Sequence, residues 1–184
     1  MFIEGSKSSK NADVDEKHRL IVASTVKSND NFINDDTGKV WSLPFLDIDP
    51  VGADDVFFYL TNTGTKVIKI TDIRISSTVI GIVSVKKVSG TPTYSGGGAI
   101  AITPVSRRTD KSPVLQATAN TGTDITALTD EGTWFFLPCD TAGKEQHLRT
   151  TSNIMLAPGG GLALEWDQAT GILTGVVSVV ENGE

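Results

Sequence analysis

Apolar and polar residues alternate over short stretches along most of this chain, and Gly, Pro, Asn and Asp separate the stretches. Residues 162–167 are the clearest case, because Leu162, Leu164 and Trp166 share one parity while small or acidic residues take the other. This pattern predicts a strand with one buried face. Residues 56–60, Val-Phe-Phe-Tyr-Leu, are apolar on both parities, which predicts a strand covered on both faces. No stretch has the apolar spacing of an amphipathic helix, so we expect about nine or ten strands and no helix.

One Ile-rich stretch predicts an irregular strand. Ile68 and Ile70 share one parity, while Ile73 and Ile75 share the other. A regular strand would send the two pairs to opposite faces of its sheet. All four can reach one core only if the strand changes phase near Thr71-Asp72, and a β-bulge there would do this.

Strands of this length and spacing bury themselves by packing as two sheets. Residues 104–131 predict a long crossover, with a short strand or helical turn at 114–119, of the kind that Greek-key topologies need. We therefore expect an all-β fold: a two-sheet antiparallel sandwich, jelly-roll-like, over residues 18–184, with an extended N-terminal arm over residues 1–17. An immunoglobulin-like sandwich is the second choice. The expected core contains Phe58, Leu60, Ile73, Ile75, Trp134 or Phe135, Leu162, Leu164, Trp166 and Val177.

Composition and charge narrow the function classes. The 184 residues are 39% hydrophobic and 21% charged, which is ordinary for a globular domain. The net charge of -6 comes with no basic stripe, so we expect no nucleic-acid partner. No apolar run approaches the roughly 20 residues of a membrane helix, and the start of the chain lacks the apolar core of a signal peptide. The single cysteine, Cys139, has no disulfide partner in the chain and is interpreted as an inert buried thiol.

Candidate catalytic or metal-binding chemistry is sparse. His18 and His147 lie far apart without metal-ligand spacing or a nucleophile motif, and are interpreted as partly exposed residues at strand ends. The acidic stretch 47–58 resembles the start of a calcium loop, but Val51 and Phe58 stand where oxygen ligands are needed. Paired carboxylates could serve a small polysaccharide hydrolase, yet carboxylates in turns are common. We therefore expect no enzyme, no cofactor and no metal.

The first 17 residues are polar and charged, apart from the apolar cluster at the very start. Such a segment has too little apolar surface to offset the roughly 1–2 kcal/mol per residue that backbone ordering costs. It is expected to gain order by contact with a partner chain. The predicted assembly contacts are Met1, Phe2 and Ile3 as an apolar anchor, with Lys7, Lys10 and Lys17 facing an acidic neighbour.

Three segments carry a resemblance to a known group of proteins. They are residues 15–22 (Asp-Glu-Lys-His-Arg-Leu-Ile-Val), residues 56–75, which contain Tyr-Leu-Thr-Asn-Thr-Gly before the Ile-rich stretch, and residues 156–164 around a glycine turn. Their organisation resembles small jelly-roll bacteriophage virion proteins, either head decoration and cement proteins or tail components. The resemblance spans most of residues 15–181 and offers no catalytic residue to carry over.

The resemblance implies a structural virion protein, made in the host cytoplasm, that decorates or cements a phage capsid. It would pack as a symmetric homo-oligomer, a trimer being one option, and contact other virion proteins, the major capsid protein first. The alternative is a receptor- or carbohydrate-binding module on a tail or fibre. That alternative needs exposed aromatic rings, whereas Trp41, Trp134 and Trp166 all fall within strand patterns typical of a core.

Overall fold

The structure, a computed structural model, describes residues 13–14, 20–21, 39–95, 98–108, 110 and 113–181. Fifteen strands and no helix occur within these residues. The strands are β1 Asp13–Val14, β2 Leu20–Ile21, β3 Val40–Ile48, β4 Asp55–Asn62, β5 Ile68–Ser77, β6 Gly81–Ser89, β7 Thr93–Ser95, β8 Ile100–Ala101, β9 Val105–Ser106, β10 Ala117–Thr121, β11 Asp124–Thr126, β12 Thr129–Cys139, β13 Gln146–Leu156, β14 Gly161–Trp166 and β15 Leu173–Glu181. Nine of them have five residues or more and the other six have two or three, so the total exceeds the nine or ten strands expected.

Eight long strands form two antiparallel sheets in jelly-roll order. Sheet I has the order β13-β5-β15-β3, extended by β9, and sheet II has the order β12-β6-β14-β4, extended by β10 and β8. Numbered one to eight along the chain, the long strands of sheet I are 6-3-8-1 and those of sheet II are 5-4-7-2. This interleaving is that of two Greek keys, so the expected jelly-roll sandwich is confirmed.

The inner faces of both sheets meet in one apolar core. The fully buried residues include Leu43, Ile73 and Val177 from sheet I and Leu60 and Leu164 from sheet II. The predicted core members are all buried except the Trp134 and Phe135 pair, which is partly buried against the same core; the buried ones are Phe58, Leu60, Ile73, Ile75, Leu162, Leu164, Trp166 and Val177.

The predicted phase change in β5 is present at Thr71. On one side of β5, Asp72 pairs with Ser178 of β15 and Ile70 pairs with the next residue, Val179, so Thr71 has no partner. The pairing with β13 is irregular at the same position. Because of this bulge, the isoleucines on both sides of it are buried in the main core, namely Ile68, Ile70, Ile73 and Ile75.

Strand β4 is covered on both faces, as its sequence predicts. Phe58 and Leu60 lie in the main core, whereas Tyr59 belongs to a second cluster with Val88 and Ala163. The small sheet of β7 and β11 completes this cluster through Ile125. The hydrophobic cover on this outer face of sheet II therefore comes from the long connection between β6 and β12.

That connection is more structured than the sequence suggested. The expectation was one short strand or helical turn at 114–119 within a crossover over 104–131. The structure instead has β9, β10 and β11 there, and β12 already begins at Thr129. Pairing with distant strands, β10 with β4 and β11 with β7, supplies the order that the local Pro- and Thr-rich sequence does not indicate.

Most of the predicted arm lies outside the described residues, including all six predicted contact residues: Met1, Phe2, Ile3, Lys7, Lys10 and Lys17. What is described in this region is a short antiparallel pairing of β1 with β2, in which Asp13 faces Ile21 and Val14 faces Leu20. These two strands form a sheet of their own. The boundary between arm and sandwich at 17/18 stays a prediction.

Replacing Trp166 by alanine should strongly destabilise the sandwich. Trp166 is fully buried, and its indole Nε1 donates a hydrogen bond to the carbonyl of Thr170 at 2.9 Å. We expect a loss of about 3–5 kcal/mol in the free energy of unfolding, measured by urea denaturation. Phe136→Ala is the matched control, because Phe136 is 67% exposed. A loss below about 1 kcal/mol at Trp166 would show that it is not a core residue.

Deleting Thr71 tests the bulge. The deletion would restore regular alternation and turn one pair of isoleucines out of the core, so we expect a loss of more than about 4 kcal/mol or failure to fold. Thr71→Ala keeps the residue count and removes the γ-methyl group together with the hydrogen bond from Oγ1 to the Ser178 carbonyl, 3.3 Å long. That substitution should cost about 1 kcal/mol. Equal urea midpoints for the two variants would contradict this role of the bulge.

Candidate assembly surface

The two sides of the sandwich are closed in different ways. On one side the edge strands β12 and β13 each have eleven residues. On the other side the edges are β9 and β8, with two residues each. Strand β9 pairs only with Trp41 and Ser42 of β3. Residues 43–48 of β3 therefore have a strand partner on the β15 side alone, as far as the described residues go.

An open groove lies beside this free half of β3. Its volume is about 430 Å³, and it separates β3 from residues 100–103 of sheet II. We call it the open-edge groove, and its apolar lining is Phe45, Leu46, Ile48, Ile100, Ile102 and Val105. Phe45 and Ile48 also belong to the main core, so the groove leads directly to the seam between the two sheets.

Large apolar side chains around the groove are exposed. Leu46 is 69% exposed, Ile100 59% and Val105 54%. Val105 also lines a neighbouring groove of about 570 Å³, where Val114 is 75% exposed. Contiguous apolar surface of this kind on a folded domain is typical of a site that another chain covers.

Charged residues of both signs lie near the groove. Asp47 and Asp49 flank Ile48 in the sequence, and Arg107 Nε donates a hydrogen bond to Ser42 Oγ of β3 at 3.4 Å. Arg108 lines the neighbouring groove. The lining of the open-edge groove itself is apolar apart from Thr103 and Thr121.

The opposite edge, β12, is protected against strand addition. Its pairing with β6 is irregular at Asp130/Gly132 and again at Thr133/Phe135. Lys86 bonds Asp130 at 3.0 Å, and this contact holds the pKa of the Asp130 carboxyl below its usual value. Bulges, charges and a proline such as Pro138 are the features by which natural edge strands avoid pairing with other chains.

Sequence analysis missed the open-edge groove, although one signal was available. In β3, Trp41, Leu43 and Phe45 share the buried parity, so Leu46 is an apolar residue on the opposite parity. The alternation alone could not show that β9 ends after two residues. The assembly residues proposed from the sequence, at positions 1–17, lie outside the described residues and cannot be placed against the groove.

Among the described residues, Asp72, Arg74 and His147 form one polar cluster on sheet I. Asp72 contacts Arg74 Nε at 2.7 Å through Oδ2 and His147 Nε2 through Oδ1. His147 is the second residue of β13 and is partly exposed, as expected; His18 lies outside the described residues. Within the described ranges, no three His, Cys, Asp or Glu side chains are grouped as metal ligands.

Asn62 connects two of the three segments that carry the sequence resemblance, residues 56–75 and 156–164. It is buried, and its Nδ2 donates to the carbonyls of Lys66 at 2.7 Å and Leu156 at 2.9 Å. Its backbone N–H donates to the carbonyl of Gly160, and its carbonyl accepts from the N–H of Gly159. The Tyr-Leu-Thr-Asn-Thr-Gly segment and the segment around the glycine turn are thus joined by hydrogen bonds of one residue, Asn62.

Comparisons with known proteins add no identification. No family model, curated protein or solved structure matches the chain. Across the described part of the chain, no helix is both long and apolar enough to span a membrane. The proposal of a function therefore depends on the exposed surface, the fold and the sequence resemblance.

Cys139 should be unreactive in the folded protein. It is buried, and burial raises the pKa of its thiol to about 11. At pH 8 the thiolate, which is the reactive form, is then on the order of one molecule in a thousand. We expect the native protein to react with a disulfide reagent at least about a hundredfold more slowly than the urea-unfolded protein. Labelling of the native thiol at the unfolded rate would contradict its burial.

Proposed function

We propose that the chain is a structural virion protein that decorates or cements a phage capsid through symmetric packing and its N-terminal arm. The observation that carries the assembly role is the exposed apolar surface of the open edge, around Leu46, Ile100, Val105 and Val114. A solitary domain would leave this surface in water, where its exposure is unfavourable. The proposed partners are further copies of the chain and the major capsid protein.

The assignment to a phage virion is supported by the resemblance of three segments. Two of them, residues 56–75 and 156–164, meet at Asn62. The jelly roll is compatible with this role, because viral capsid proteins use it, but lectins and enzymes use it too. The fold therefore agrees with the proposal and does not select it.

A tail or fibre module that binds carbohydrate is the second proposal, and the aromatic residues give it less support. Trp41 and Trp166 are at most 1% exposed, and Trp134 packs partly buried against the core. The indole of Trp41 also donates to the Pro113 carbonyl at 3.1 Å. These rings are therefore not free to stack on a sugar in the way that such modules need.

Deleting residues 2–14 tests the assembly role of the arm. The deletion removes Phe2, Ile3, Lys7 and Lys10 and leaves β3 to β15 intact. We expect light scattering to show an oligomer for the full chain and a monomer for the deleted chain, with melting temperatures within a few degrees of each other. Phe2→Ser with Ile3→Ser should reproduce the loss of assembly without shortening the chain.

Two results would count against the proposal. One is a full-length chain that is monomeric over the accessible concentration range and fails to sediment with phage capsids. The other is a deleted chain that melts much lower and still assembles, because the arm would then belong to the fold of its own sandwich.

A further inference from the structure

We propose that the outer face of sheet II binds a short neutral glycan, which stacks on the ring of Phe136 and bonds to polar side chains beside it. We call this site the Phe136 face and define it by Ile82, Ser84, Phe136, Pro138 and Glu165. It lies on the outside of sheet II and not at the open edge of the sandwich. The inference is therefore independent of the proposed assembly role.

The apolar part of the site comes from the ends of β12 and β6. Leu137 is buried in the main core, so its neighbours Phe136 and Pro138 point to the other side of the sheet. The register pairs Phe136 with Ser84 and Pro138 with Ile82. Phe136 is 67% exposed and Ile82 39%. The small sheet of β7 and β11 packs farther along sheet II, on the second cluster, and so leaves the ring of Phe136 accessible.

A polar cluster borders the ring. The register continues from Ser84 to Glu165 of β14, so Phe136, Ser84 and Glu165 form one row across three strands. Glu165 Oε2 accepts a hydrogen bond from Lys86 Nζ at 2.6 Å, and the same ammonium lies 3.0 Å from Asp130 Oδ2. These ion pairs hold the charged side chains in place before a ligand arrives, which lowers the entropy cost of binding.

This combination of groups suits a sugar. A pyranose has a face of C–H groups and a rim of hydroxyl groups. The C–H face packs on an aromatic ring, because the face of the ring carries partial negative charge. The hydroxyl groups both donate to carboxylates and accept from hydroxyl or ammonium groups. Neighbouring strands are about 4.8 Å apart, so the row from Phe136 to Glu165 spans roughly 10 Å. A short glycan stacked on Phe136 would therefore reach Ser84 and Glu165.

The charge of the polar cluster selects a neutral glycan. Lys86 contributes one ammonium, and Asp130 and Glu165 contribute two carboxylates, a net charge of -1. The adjacent pair of Lys87 and Glu131 adds no net charge. The carboxylate of a uronic or sialic acid would be repelled by this excess negative charge, whereas neutral hydroxyl groups can donate to the carboxylates.

Both irregularities of β12 lie next to a side chain that the argument uses. One register shift is at Asp130/Gly132, and the other, at Thr133/Phe135, ends directly before Phe136. A shift of one residue exchanges the two faces of a strand. The second shift therefore decides that Phe135 packs against the core and Phe136 faces outward. Bulges are frequent beside active sites, where they re-aim a side chain.

A protein partner fits this face less well than a glycan. The apolar part of the face consists of three side chains, Ile82, Phe136 and Pro138, and ion pairs border it. A stable protein interface needs about 800 Å² from each partner, which is far more than three side chains supply. A second copy of the chain is the competing occupant, so the test has to separate it from a glycan.

Calorimetric titration of the full-length protein with defined oligosaccharides tests the site. The neutral probes are cellohexaose, maltohexaose and the hexamer of N-acetylglucosamine, and the acidic probe is trigalacturonic acid. We expect at least one neutral probe to bind more tightly than the acidic one. Phe136→Ala should weaken its binding at least about fivefold. Phe136→Leu should weaken it equally, because leucine keeps an apolar side chain without a ring, and Phe136→Trp should retain it.

Leu46→Ala is the matched control, because Leu46 is 69% exposed but lies at the open edge. It should leave the dissociation constant within about twofold of the unmodified protein. Ser84→Ala removes one hydroxyl group beside the ring and should weaken binding by about two- to tenfold. All of these variants should melt within a few degrees of the unmodified protein.

Several results would overturn the site. They are the absence of binding to every neutral probe, an equal loss of binding in Phe136→Ala and Leu46→Ala, and tighter binding of the acidic probe. A fourth is an oligomer, seen by light scattering, that Phe136→Ala dissociates while no probe binds, because the face would then be a contact between copies. The oligomeric state of the unmodified protein bears on the proposed function and is measured separately from glycan binding.

Discussion

Two stacked sheets can bury their facing sides, but the seam between them at each side of the sandwich still has to be covered. This requirement controls most of what is distinctive in the chain. On one side, the edge strands β12 and β13 have eleven residues each. On the other, the cover consists of two-residue strands and the 100–105 segment, and Phe45 and Ile48 of the core line an open groove.

Local sequence patterns predicted the features whose cause lies within a few adjacent residues. The bulge at Thr71 could be predicted because its cause is local: four isoleucines in two phases have to reach one core. The core strands could be predicted for the same reason, since alternation is a property of a few adjacent residues. The alternation could not show whether Trp134 or Phe135 faces the core, because β12 is irregular at that point. Both side chains are partly buried against the core.

The pairing of strands that lie far apart in the chain could not be predicted from the sequence. Nothing within residues 117–121 indicates that they pair with β4, and nothing near Leu46 indicates that β9 ends after two residues. The open-edge groove is a consequence of these two facts. Asn62 lies in one of the segments that carry the sequence resemblance, but the sequence does not show which groups it bonds. Its partners are Lys66, in the next turn, and Leu156, in a strand 94 residues away.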